Sequence, residues 1–124
     1  MLRIAAVTSL ACCLLAPTAI GSGKAATTVK FSSITATVSG SRYEGSVESP
    51  KKGCANDRKV VVFRKADGPD LKLGATRSEP RPGFGFVWVV ESKAPLVEGK
   101  YYAKSEATKS CQGDRSPTLT YREF

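Results

Sequence analysis

From position 27 onward, polar and apolar residues alternate with a period near two rather than 3.6, which predicts strands and no helices. The first candidate strand is "VKFSSITATV", ending at Gly40-Ser41, and the second is "RYEGSVES", stopped by Pro50. "RKVVVFRKA" follows and closes at Asp67-Gly68-Pro69-Asp70, where proline presets φ and glycine relieves strain. "LKLGATRS" carries the weakest pattern and reads as an edge strand. "EPRPG" turns the chain into "FGFVWVV", one parity of which assigns Phe84, Phe86, Trp88 and Val90 to the core. In "GKYYAKSEAT", Tyr101, Ala103 and Ser105 alternate with an outward Tyr102, Lys104 and Glu106, and "PTLTYRE" forms the last strand. Seven short strands in about 100 residues predict an all-β, two-sheet antiparallel sandwich. Trp88 is read as packing rather than ligand binding, because buried aromatics contribute heavily to cores.

The first 26 residues follow a different pattern. Arg3 precedes an apolar run from Ile4 to Ala16, and small residues follow, with Ala19-Ile20-Gly21 or Gly23-Lys24-Ala25 as the cleavage motif. This is the layout of a secretory signal peptide, cut between positions 21 and 26. Pro17 interrupts the run short of the roughly 18 apolar residues a membrane span needs. Residues 27–124 then form a single domain in a secreted protein. Attachment as a lipoprotein through Cys12 or Cys13 is the alternative, although Ser9 stands where a lipobox has an aliphatic residue.

Export leaves Cys54 and Cys111 as one disulfide pair. If successive strands run up and down, the loops holding these two cysteines lie at the same end, so the bridge and the strand layout support one another. "LVEGKYY" adds Leu96, Gly99 and Tyr101, the spacing of a tyrosine corner, or else an ordinary tyrosine at a strand start.

The chain carries 19 basic and 11 acidic residues, net +8, and loses only Arg3 with its first 21 residues. In the same up-down layout the disulfide end gathers Lys51, Lys52, Arg58, Lys59, Arg77, Arg81, Lys109 and Arg115 against Asp57, Glu79 and Asp114. The opposite loops balance to zero. A basic pole of this kind suits an anionic polymer, lipid headgroups or an acidic protein surface, or it serves only to keep the domain in solution. Nucleic acid is disfavoured because these loops offer no aromatic residue for base stacking.

With no histidine in the chain, Ser-His-Asp and Cys-His catalysis and histidine-containing metal sites are excluded. The carboxylates are scattered, and Asp67 and Asp70 read as turn residues rather than a calcium site. No catalytic group, metal or cofactor is expected.

Gly45-Ser46-Val47-Glu48-Ser49, Cys54, Arg58 to Val62, Gly85 to Trp88, Gly99 to Ala103 and Cys111 together resemble carboxypeptidase-regulatory-like or prealbumin-like modules of secreted bacterial proteins. The resemblance spans nearly all of the chain after the leader and implies a seven-stranded Greek-key sandwich, immunoglobulin-like or transthyretin-like, without catalytic residues of its own. It implies no particular ligand. Related adhesin modules form an internal isopeptide bond; Lys30 is available here, but "SPTLTYREF" supplies neither Asn nor Asp. The expected function is a secreted, non-catalytic binding or structural module that docks an anionic partner through its basic pole. The alternative is an inhibitor or adhesion factor that engages a protein through loops or the "LKLGATRS" edge.

Overall fold

The computed structural model describes residues 23–123; the proposed leader up to position 22 lies outside them. Among the described residues, nine strands form two antiparallel sheets. β1 (Thr28–Thr37), β2 (Gly40–Glu48), β6 (Gly85–Ser92) and β5 (Glu79–Arg81) make the first sheet in the order β1-β2-β6-β5. β4 (Leu71–Arg77), β3 (Lys59–Arg64), β7 (Gly99–Ser105) and β8 (Asp114–Arg115) make the second, with β9 (Leu119–Tyr121) also on β7. A 3₁₀ turn, Lys52–Cys54, lies between β2 and β3. No helix among the described residues is long and apolar enough to cross a membrane.

Two strands more than expected arise for local reasons. Glu79–Arg81 pairs with Val87–Gly85 as a short hairpin arm, although "EPRPG" carries no apolar alternation. Pro80 is tolerated because β5 is an edge strand, where a missing N–H costs no ladder bond. The last strand divides at Pro117. Ser116 spans the gap by donating its N–H to the Ala103 carbonyl (2.8 Å) and accepting the Ala103 N–H on Oγ (2.9 Å).

Alternation places the core as expected along most strands. Val60 and Val62 of β3, with Tyr101 and Ala103 of β7, face Val29, Tyr43, Val47, Trp88 and Val90 across the sandwich. Trp88 is 1 % exposed, with Phe31 edge-on at 5.3 Å. Its indole N–H points at the Lys30 and Ser46 carbonyls (3.2 and 3.3 Å). Gly45 sits directly opposite Trp88, where an added Cβ would lie 2.5 Å from the indole and 1.9 Å from the Lys30 carbonyl, so only glycine fits. The Tyr43 hydroxyl donates to Ser41 Oγ and that hydroxyl to the Ala94 carbonyl, both at 2.9 Å. Burial therefore raises the Tyr43 pKa without leaving a polar atom unpaired. The Tyr101 hydroxyl donates to the Val97 carbonyl four residues upstream, the hydrogen bond of a tyrosine corner.

Phe84 departs from the expected core. It lies in the β5–β6 turn between Gly83 and Gly85, both at positive φ (83° and 80°), and is 73 % exposed. The alternating parity of "FGFVWVV" runs past the end of the strand into its turn, and Phe86 of the same parity is only half-buried and lies outside the core cluster.

Candidate functional site

The Cys54–Cys111 pair has a Cα separation of 5.5 Å, and both residues are buried. It joins the β2–β3 loop to the loop after β7, and the β4–β5 corner meets them there. Asp57 donates its N–H to the Ser78 carbonyl and Ser78 its own to Arg58 (both 2.9 Å). The segment before β1 is laced across the bridge. Ala25 donates to Ser110 (3.0 Å) and accepts from Gln112 (2.8 Å), Ser49 Oγ donates to Ala26 (2.6 Å), and the Val29 N–H reaches Asp114 Oδ2 (2.7 Å). Cleavage after Ala25 would remove this bridging residue, whereas cleavage after Gly21 leaves it in place.

Arg58 lies at the centre of this end, and here the expected basic pole needs correction. It is 4 % exposed. Its guanidinium donates to Thr27 Oγ1 and the Cys54 and Glu106 carbonyls at 2.9 Å, and to the Gln112 carbonyl at 3.2 Å. Burial lowers its pKa from the usual value, but an arginine stays charged in a protein. Arg58 is therefore a clamp that fastens three chain segments and is not presented at the surface.

The other seven cations are exposed but not gathered on one patch. Lys51 and Lys52 lie on the 3₁₀ turn, Lys109 precedes Cys111, and Arg81 ends β5 on the first sheet. Phe84 projects from the turn just after Arg81, its N–H bonded to the Arg81 carbonyl (2.9 Å), and shares a concavity with Ser49 and Ala55. The basic end thus carries an exposed aromatic, Phe84, where strand parity predicts a core residue.

Lys59 and Arg77 face each other across β3 and β4 on the outer face of the second sheet. Arg77 is held by Asp57, donating to its carbonyl at 2.8 Å with the carboxylate 3.6 Å away. Between them opens a cavity of about 440 Å³ with a floor of Val61 and Phe63. Lys72 and Arg77 of β4 stand on one side and Glu106, Ala107 and Thr108 on the other, with Arg58 beneath. Lys72 was not among the expected site residues. It joins the groove because β4 pairs it with Phe63, a partnership between distant positions that only the strand register reveals.

Arg115 and Tyr102 also differ from expectation. Tyr102 points away from the core yet is 5 % exposed, because Phe63 stacks on it (5.3 Å) and the Arg115 guanidinium covers its ring at 3.7 Å. Its hydroxyl donates to Asp70 Oδ2, while Asp70 Oδ1 accepts the Ala66 N–H at 3.2 Å. Asp70 is thus a turn residue tied to the sheet. The Tyr102 hydrogen bond holds the Asp70 carboxyl below the usual carboxylate range, with smaller help from Ala66, Arg115 and Lys65. Burial, and then Asp70, push the Tyr102 phenol up. A depressed carboxyl pKa stabilises the fold fully above the unfolded value near 4 and is lost as pH falls through the lower folded value. Thermal midpoints between pH 2 and 6 should therefore fall further on acidification in the wild type than in Asp70→Asn. Identical profiles would mean that the Tyr102–Asp70 contact contributes nothing.

Comparison with protein-family models, curated proteins and solved structures returned no match.

Proposed function

We propose that this protein is a secreted, non-catalytic β-sandwich module that docks an anionic partner, foremost a surface of anionic lipid headgroups, through its disulfide end. The observation that carries this reading is Phe84, 73 % exposed at the tip of a hairpin, three residues after Arg81 and sharing a concavity with Ser49 and Ala55 of the β2–β3 connection. An exposed aromatic ring at an end that also carries Lys51, Lys52 and Arg81 suits an interface that is apolar inside and negatively charged outside. The leader pattern and the cysteine pair support export. The sheet order, β1-β2-β6-β5 against β4-β3-β7-β8 with β9 also on β7, supports a Greek-key arrangement of the immunoglobulin-like kind.

Each cation near an anionic membrane contributes ~1 kcal/mol, so neutralising Lys51, Lys52 and Arg81 to glutamine should weaken binding to phosphatidylglycerol vesicles by roughly 100-fold. Wild-type binding should fade with added salt, and Phe84→Ser should reduce affinity while keeping the salt dependence. Undiminished vesicle binding by the triple variant would overturn the proposal. Binding to an acidic polysaccharide but not to vesicles would reassign the partner. The second reading, docking of a protein strand, rests on the position of β4 at the end of its sheet. It predicts salt-insensitive binding.

A further inference from the structure

The groove on the outer face of the second sheet combines two properties that the basic end does not. Its floor is apolar: Val61 and Phe63 are half-buried on a face that would otherwise meet water, and Ala107 continues that surface on the wall. Its charge is unbalanced toward the positive. Of its two carboxylates, Asp57 is held by Arg77, and Glu106 is held by Lys104 at 3.2 Å. Among the described residues, Lys59 and Lys72 have no ion-pair partner, and buried Arg58 is met only by neutral oxygens. A charge nine-tenths buried without a counter-ion raises the potential of the cavity above it, because the surrounding medium screens it less than water does.

The charged side chains are densest at one end of the groove, where the Asp57 and Glu106 carboxylates are engaged by Arg77 and Lys104. Arg58, Lys59 and Arg77 lie toward the disulfide, and Phe63 marks the other end, four residues along β3 and about 13 Å away. The Lys72 stem can lie along that stretch as further apolar surface. A polyanion would leave the valine and phenylalanine floor facing charged groups, and a neutral lipid would leave the cations unmatched. An added peptide strand needs a free sheet edge, whereas this floor is the face of a sheet.

We infer that the groove binds a single-chain anionic amphiphile, with its carboxylate between Lys59 and Arg77 above Arg58 and its acyl chain along Val61 and Phe63. The cavity of about 440 Å³ falls within the range of small-molecule sites. This ligand class goes beyond the docking of an anionic surface at Phe84, and the two can fail separately.

The test is titration of the intact domain with octanoate, octanol and acetate, followed by amide chemical shifts. Octanoate should bind saturably, shifting the resonances of Lys59, Val61 and Ala107, with octanol at least about tenfold weaker for want of one ionic contact. Acetate should not saturate. Lys59→Gln combined with Arg77→Gln should weaken octanoate by about tenfold or more and leave octanol unchanged, while Val61→Asn should weaken both. All variants should keep thermal midpoints near that of the wild type, which separates lost binding from lost fold. Absence of saturable octanoate shifts at the groove overturns the inference, as does equal affinity for octanol and octanoate. Retained vesicle binding in either case would show that the Phe84 surface acts without the groove.

Discussion

Arg58→Met will be the most damaging exchange of a charged residue in this protein, lowering stability by about 3–5 kcal/mol. Methionine keeps most of the apolar stem but deprives Thr27 Oγ1 and the carbonyls of Cys54, Glu106 and Gln112 of their donor. Thr27 and Cys54 lie where water has little access, so at those two the cost is that of stranded acceptors rather than of ordinary hydrogen bonds. For a domain of this size the loss corresponds to a fall of about 20 °C in the thermal midpoint. Arg58→Lys should recover only part of it, since one ammonium cannot reach four acceptors spread around a planar fork. A midpoint within a few degrees of wild type for Arg58→Met would mean that the end is held together by other contacts.

Loss of the Cys54–Cys111 bridge is the second large effect. The cysteines are 57 positions apart, and opening a loop of that length restores unfolded-chain entropy amounting to ~4 kcal/mol in the chain-entropy model. Reduction, or the double exchange Cys54→Ala and Cys111→Ala, should lower the denaturation midpoint by a comparable amount. The Cys54 carbonyl is also an Arg58 acceptor, so the two changes act on one unit. Together they should cost less than the sum of their separate effects. An unchanged midpoint after verified reduction would show that the bridge contributes nothing to stability.

The residues that were legible in the sequence are those whose environment follows from local periodicity. Tyr101 and Ala103, and Trp88 and Val90, face inward as a period of two requires, and Tyr101 closes its corner through a carbonyl only four residues away. The cysteine pair was legible because a cleaved leader leaves only Cys54 and Cys111, and two loops at one end of alternating strands can meet. What was missed depends on long-range crossing of the chain. Arg58 is buried by acceptors contributed from positions 27, 54, 106 and 112, and nothing in "DRK" distinguishes it from the exposed Lys59 beside it. Tyr102 has an outward parity but is roofed by Arg115 and stacked on Phe63. Phe84 carried a signal that was outweighed: a glycine on each side marks a turn more strongly than parity marks a strand. The groove was legible only in Arg58, Lys59 and Arg77, since its apolar floor and Lys72 depend on the pairing of β3 with β4.

The two ends of the described chain leave the sandwich at opposite poles. Ala25 is fastened beside Cys111, at the basic end, whereas Tyr121 pairs with Gly99, and Glu123 donates its N–H to Glu98 at the far end. Any tether therefore sets an orientation. A linker fused after residue 123 would hold the domain upright on a bead or sensor surface with Phe84 and the cations facing outward, while one fused ahead of Ala25 would press that face against its own support.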